Sequence, residues 1–408
     1  MSTQDTIDSK PPCKRCEEDR ISEDFVENLL YSLFNPYYRE LGKFDVSELI
    51  KKYMGESIET IFSLGLRELM DSFGFLSPQW AEKIEKYKEA KRKAWEELKK
   101  MIESGEIKLE DLSTSQLVDS FFEEVVDELQ KLGYVEGVET RLHKKVVKFS
   151  KKAESILAEK VLELSIKNLE KRGFGETITE KEGISAFVGE KIVDFDDFVH
   201  SFDVIDIVES LLKSAIKGRI DLEEIVARQP KHITKCVYVM LIDVSDSMRG
   251  KKMIGAIEAA LGLRKAIRKR NLDELRVLAF NHKTWEIKEG EILNLEPRGR
   301  TDIGLALRKA REVSKESDGT PVVLLISDGE PTSSYNPNLT PWKCSLLEAE
   351  KLRSINARFQ IIMLGREGRF LELCKMMAKM SGNANLIHIA DPLDLKKFVV
   401  LSYIRAGK

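Results

Sequence analysis

Apolar and polar positions divide the chain into two textures. From Ile21 to about Pro230, apolar residues recur mostly at three- and four-residue steps, which predicts helices nearly throughout. Phe25, Leu29 and Leu33 mark a short helix, and Ile58, Ile61, Phe62 and Leu66 another. Ser77-Pro78 has the form of an N-cap followed by a proline at the first helical position. The helix behind it carries Trp80, Ile84, Tyr87, Ala94, Leu98 and Ile102 and stops at Gly105. A second helix runs from Ser113 to Gly133, and a third carries Leu142, Val146, Phe149, Ala153, Ile156 and Ile166. Val204–Ile216 predicts a further helix, and Gln229-Pro230 ends the region because proline pushes its predecessor out of helical conformation.

From about His232 the pattern changes to short apolar runs alternating with helical spacing. Strands are predicted at 236–243, 275–280, 321–326, 359–364 and 386–389, with a short hairpin-like piece at 284–287. Helices are predicted near 251–270, 303–314, 345–356 and 368–381, and after Pro392. Strand, helix, strand in this rhythm predicts a doubly wound, mostly parallel sheet covered on both faces. The expected architecture is therefore an α/β domain over 233–408, an all-α region over 21–230, and a polar, disordered tail over 1–20.

Composition narrows the function classes. The 408 residues carry a net charge of −3, with 33% charged and 42% apolar residues. That balance gives no general attraction to nucleic acid or to anionic membrane. No stretch is long and apolar enough to predict a membrane span, and no apolar run follows the N-terminal charges, so the expected compartment is the cytoplasm. The Lys/Glu mixture between 82 and 100 alternates in sign, as on a solvated helix face. Five cysteines suit a reducing interior, and Cys13-x-x-Cys16 lacks the second ligand pair a zinc site needs. The five histidines show no metal-ligand spacing.

The chemistry concentrates at the ends of the predicted strands. The run Cys236–Ile242 reads as a strand buried on both faces and ends in Asp243-Val244-Ser245-Asp246-Ser247. Asp243, Ser245 and Ser247 present hard oxygens at alternate positions of one turn, a donor set suited to Mg²⁺. Ligands of open α/β sheets bind at the carboxyl ends of the strands. Two further loops lie at that edge: Arg298–Gly304, where Thr301 opens a helix, and Ile326–Thr332, where Asp328 ends a strand. A plainer reading has the serines and Asp328 as helix caps.

Together these loops resemble the von Willebrand factor A (VWA) domain and its metal-ion-dependent adhesion site, over roughly residues 233–400. The resemblance assigns the metal to Asp243, Ser245, Ser247, Thr301 and Asp328, with Mg²⁺ the expected ion and Mn²⁺ or Ca²⁺ as alternatives. It implies that the bound ion accepts a carboxylate from a protein partner. Arg300 stands where many relatives have glycine, and it could meet such an acidic partner. Glu330 and Trp342 belong to a long loop that offers further contacts, although Trp342 is equally readable as a packed anchor. A helical region followed by a VWA domain also resembles the CoxE-like and ViaA-like proteins, as does the stretch Lys217–Leu222. That implies an adaptor working with a MoxR-type AAA+ ATPase in complex remodelling or metal-cofactor insertion.

No histidine, cysteine or lysine stands in the three loops to act as base or nucleophile, so an enzyme is not expected. Two rivals remain. A metal-dependent phosphohydrolase would need a second acid where Ser245 stands. An RNA-binding ribonucleoprotein component would need a basic cluster that the sequence does not display.

Overall fold

The computed structural model describes residues 23–54, 78–141, 144–171, 190–194, 210–214, 225–230, 235–270, 273–329, 331–365 and 368–406. The chain divides into two compact units. One comprises Met1–Lys160 with Glu289–Asn294, the other Val161–Lys288 with Leu295–Lys408.

In the first unit, helices α1 (Glu23–Phe34), α2 (Val46–Met54), α3 (Pro78–Glu103), α4 (Thr114–Ser120) and α5 (Phe122–Lys131) are followed by a hairpin, β1 (Val135–Arg141) and β2 (Lys144–Phe149), and then by α6 (Lys151–Lys171), whose residues from Val161 on belong to the second unit. Phe25, Leu29, Leu33, Ala94, Leu98, Leu117, Phe121, Val125 and Leu129 are buried, so these apolar stripes do form the core of this unit. Ser113 caps α4 by accepting the Gln116 amide, and its hydroxyl also donates to the Glu40 carbonyl.

Two stretches of this helical region depart from the expectation. The helix expected over 113–133 breaks at Phe121, whose φ of −124° and ψ of 42° are not helical. The helix expected to include Val146 and Phe149 begins only at Lys151, and 135–149 is an antiparallel hairpin. Val138 pairs with Val147 across it and Val135 with Phe149, and a register shift between Val135 and Gly137 breaks the alternation that would mark a strand in the sequence. Gly133, at φ +77°, ends α5 before the hairpin starts. The second unit also contains a pair of antiparallel strands, β3 (Glu190–Asp194) and β4 (Val226–Pro230). The tail with Cys13 and Cys16, the helix expected at 58–66 and the Lys217–Leu222 stretch lie outside the described residues.

The remaining elements of the second unit are β5 (Cys236–Asp243), α7 (Lys251–Arg270), β6 (Glu274–Phe280), β7 (Thr284–Glu286), α8 (Ile303–Glu316), β8 (Thr320–Ser327), α9 (Pro341–Lys351), β9 (Arg358–Leu364), α10 (Arg369–Ser381), β10 (Ala384–Ile389) and α11 (Leu395–Ala406). The sheet order is β10-β9-β8-β5-β6-β7, parallel except for the edge strand β7. Alternate residues of the central strands feed opposite faces. Val237, Val239 and Leu241 join Leu307, Val323, Phe359 and Leu373 in one cluster. Met240 and Ile242, pointing the other way, are equally buried.

On that other side α7 packs on α11 through small residues. A Cβ added at Gly255 would stand 2.0 Å from the Pro392 carbonyl oxygen, and one at Gly262 would stand 2.7 Å from Val400. Glu258 is fully buried there and receives the Lys396 ammonium on both oxygens at 3.0 Å. Gly255→Ala is expected to overpack this contact by about 3 kcal/mol and to lower the melting temperature by roughly 5–10 °C. An unchanged melting temperature would show that α7 and the turn at Pro392 do not approach this closely.

Candidate metal site

The strand order reverses between β6 and β8, which flank β5, so the switch point of the sheet lies at the carboxyl ends of β5 and β8. Asp243 ends β5 there, and Asp328 follows β8. The register pairs Ile242 with Ile326, placing Asp243 beside Ser327. Asp243 is fully buried; it accepts the Ser245 amide at 2.8 Å and the Ser327 hydroxyl at 2.7 Å. Burial pushes its carboxyl up from the ordinary 3.8 to about 6; the nearby Asp328 charge adds to this, and the bonds from Ser245 and Ser327 oppose it.

Ser245 makes no side-chain cap bond to the single 3₁₀ turn Asp246–Met248; instead its hydroxyl lies 3.1 Å from that of Ser247. Capping therefore does not account for the first serine. Nor does it account for Asp328, since the next helix is α9, with Thr340 as its N-cap. Asp302 is the cap of α8: its carboxylate accepts the Leu305 amide at 2.9 Å, so the helix begins just beyond Thr301.

Thr301 is nearly fully buried. Its amide donates to the Thr332 hydroxyl at 2.9 Å, and its carbonyl accepts the amides of Thr332 and Ser333. The Thr301 loop is thereby tied to the segment just past Asp328. It is tied equally to the serine loop, because the Asp246 amide donates to the Gly299 carbonyl and the Gly299 amide donates to Asp246. Gly299 has φ +83°, and a Cβ there would stand 3.0 Å from His282, so the backbone requires glycine at this crossing.

Asp328 is 9% exposed and carries the sharpest local imbalance. Its Oδ2 receives the Lys252 ammonium at 3.1 Å, while its Oδ1 is buried with no hydrogen-bond partner. A buried carboxylate oxygen without a donor is costly unless a cation meets it. Two buried acids, three hydroxyls and an orphaned oxygen therefore fit a hard divalent ion. Asp243, Ser245, Ser247, Thr301 and Asp328 are the residues that would hold it. Among the described residues no group of three or more His, Cys, Asp or Glu side chains could hold a metal, so an ion here depends on the hydroxyls as much as on the acids.

Of the residues expected to meet a partner, Arg300 is exposed. Trp342 is not an exposed contact: it is half-buried, packs against the core cluster and lies beneath the Arg369 guanidinium at 5.7 Å. It is the loop anchor, because a helix starting at Pro341 turns its indole inward. Glu330 lies outside the described residues. Ser327, Thr332 and Lys252 also belong to the site, bonding to Asp243, Thr301 and Asp328. Ser327, directly before Asp328 at a strand end, was the one with a readable signal.

A doubly wound sheet in this order, with hydroxyls and carboxylates gathered at its switch point, is consistent with a VWA fold. Residues 236–404 match the family profile described as "Rv0959-like protein, vWA domain". No curated protein matches the chain. Similar solved structures include the vWF domain of the type V pili tip protein Mfa5 from Porphyromonas gingivalis, with 14% identity, 42% of this chain and 95% of that one covered, and a TM-score of 0.36. The PilB minor pilin from Streptococcus sanguinis aligns at 12% identity over 45% of this chain and 64% of its own, with a TM-score of 0.36. Proximal thread matrix protein 1 from the mussel byssus, whose structure has a zinc-occupied metal-ion-dependent adhesion site motif, aligns at 22% identity over 41% and 48%, with a TM-score of 0.31. Among the described residues no helix is long and apolar enough to cross a membrane.

Proposed function

We propose that this chain is a metal-dependent protein-binding adaptor, whose VWA domain holds a divalent cation that accepts a carboxylate from a partner protein. The orphaned Oδ1 of Asp328, at the sheet edge where Ser245 makes no cap bond, carries this reading. Five protein oxygens leave an octahedral ion with an open position, which an incoming carboxylate fills. Mg²⁺ suits the all-oxygen set, with Mn²⁺ as its spectroscopic substitute. Resemblance to the CoxE-like and ViaA-like proteins supports a cytoplasmic setting and a MoxR-type AAA+ ATPase as the second partner of the helical region.

Thr301→Val keeps the shape and removes one hydroxyl. It is expected to weaken Mn²⁺ binding roughly tenfold in equilibrium dialysis while leaving the melting temperature in EDTA nearly unchanged. Immobilised protein in Mg²⁺ is expected to retain partners that EDTA releases, with an AAA+ ATPase identifiable among them. Equal retention in EDTA, or wild-type Mn²⁺ affinity in the Thr301→Val variant, would remove the basis of the proposal.

A further inference from the structure

Beside the metal site, two loops are locked together by one buried side chain, Asn281, which is 7% exposed. Its Oδ1 accepts the Lys283 amide at 2.9 Å, its Nδ2 donates to the Arg298 carbonyl at 2.8 Å, and its own carbonyl accepts the Asp302 amide at 2.9 Å. The clamp presents Lys283, Arg298 and Arg300, all exposed, from the loops 281–283 and 298–302. Neither Lys283 nor Arg300 forms a salt bridge among the described residues. Asp246, the exposed acid of the adjoining serine loop, is already taken by Arg249 and by the Gly299 amide.

Three exposed cations on clamped loops next to a site for a divalent cation raise the cost of metal binding by like-charge repulsion. In a chain of net charge −3 such a local excess is not a bulk property. The repulsion turns to attraction only when an anion spans both the ion and the rim. Resting on the metal-site reading above, we propose that the Lys283–Arg298–Arg300 rim binds an acidic peptide segment, one of whose carboxylates sits on the metal while its neighbours pair with the rim. Arginine suits this role because its guanidinium takes carboxylates in pairs of hydrogen bonds. Metal and segment then bind cooperatively, each raising the affinity for the other by the same factor. A nucleic acid is the poorer occupant: binding to its backbone gains with every phosphate neutralised, and three cations on a chain of net charge −3 neutralise few.

The test measures Mn²⁺ binding to the full chain by electron paramagnetic resonance, alone and with three probes. These are a capped hexaglutamate peptide, a capped Gly-Gly-Glu-Gly-Gly peptide and a hexathymidylate. Hexaglutamate is expected to tighten Mn²⁺ binding at least fivefold and the single-acid peptide less than twofold. Arg298→Glu with Arg300→Glu is expected to erase the hexaglutamate effect while Mn²⁺ alone binds as well as before or better. Equal enhancement by both peptides, or an unchanged effect in the double variant, would overturn the rim while leaving the metal site standing. Enhancement by hexathymidylate equal to that by hexaglutamate would overturn the choice of an acidic peptide. Absence of Mn²⁺ binding by the wild-type chain, unlike these outcomes, would sink the metal reading itself.

Discussion

Asn in place of Asp243 is expected to abolish Mn²⁺ binding and, in the same protein freed of metal, to raise the melting temperature at pH 7.5. The two effects have one cause. The Asp243 carboxyl is fully buried, and burial pushes it up to about 6 from an ordinary 3.8. A raised carboxyl means that the folded chain holds this proton more tightly than the unfolded chain does. Stability from this group is therefore full below about pH 4 and falls as pH rises through 6. Above that point the ionised group costs about 3 kcal/mol in the metal-free fold. Asparagine keeps the acceptor for the Ser245 amide and carries no charge, so it avoids that cost. The expected gain over wild type in EDTA is roughly 5–10 °C at pH 7.5, shrinking toward zero near pH 4. For the wild type, the rise in melting temperature produced by Mn²⁺ is expected to fade as pH drops below 6, because the protonated acid is a poor ligand. Thermal unfolding across pH, with and without Mn²⁺, reads all of this. An Asp243→Asn variant that still bound Mn²⁺, or that melted like wild type in EDTA at pH 7.5, would contradict the assignment.

Lys252→Met is expected to tighten Mn²⁺ binding by tenfold or more while lowering the melting temperature in EDTA. The Lys252 ammonium donates to Asp328 Oδ2 at 3.1 Å and to the Ser247 carbonyl at 3.2 Å, so it meets the charge of one expected ligand. A divalent ion arriving at Asp328 must work against this unit charge, and at an effective dielectric near 20 that repulsion is on the order of several kcal/mol at close range. Without the lysine the ion has no competitor. The metal-free protein then keeps Asp328 buried and unpaired, which costs stability. The rise in melting temperature caused by Mn²⁺ is consequently expected to exceed that of the wild type. Weaker Mn²⁺ binding in the variant would instead make Lys252 a support that orients Asp328 for the metal.

Much of the C-terminal fold was legible from period alone. The apolar run at 236–242, buried on both faces, could be little else than a central parallel strand, and the helix at 251–270 was marked from end to end by its own spacing. Because ligands gather where such strands end, Asp243 and Asp328 could be named without coordinates. The hairpin at 135–149 was not legible, since its valines stand three apart at 135 and 138 and adjacent at 146 and 147, so no period of two shows and only cross-strand pairing reveals the strands. Trp342 was similarly undecided until its packing against the core cluster was known.

In the α/β region the sequence by itself determined the elements, their order and the residue types at the strand ends, because these follow from short-range periodicity and the chemistry of adjacent side chains. Only the tertiary structure decided how the loops lock together. The Ser327–Asp243 bond joins residues 84 positions apart, the Lys252–Asp328 pair 76, and the Thr301–Thr332 clasp 31. Hydrogen bonds at such separations leave no local pattern, since they exist only after the sheet has brought distant strand ends side by side.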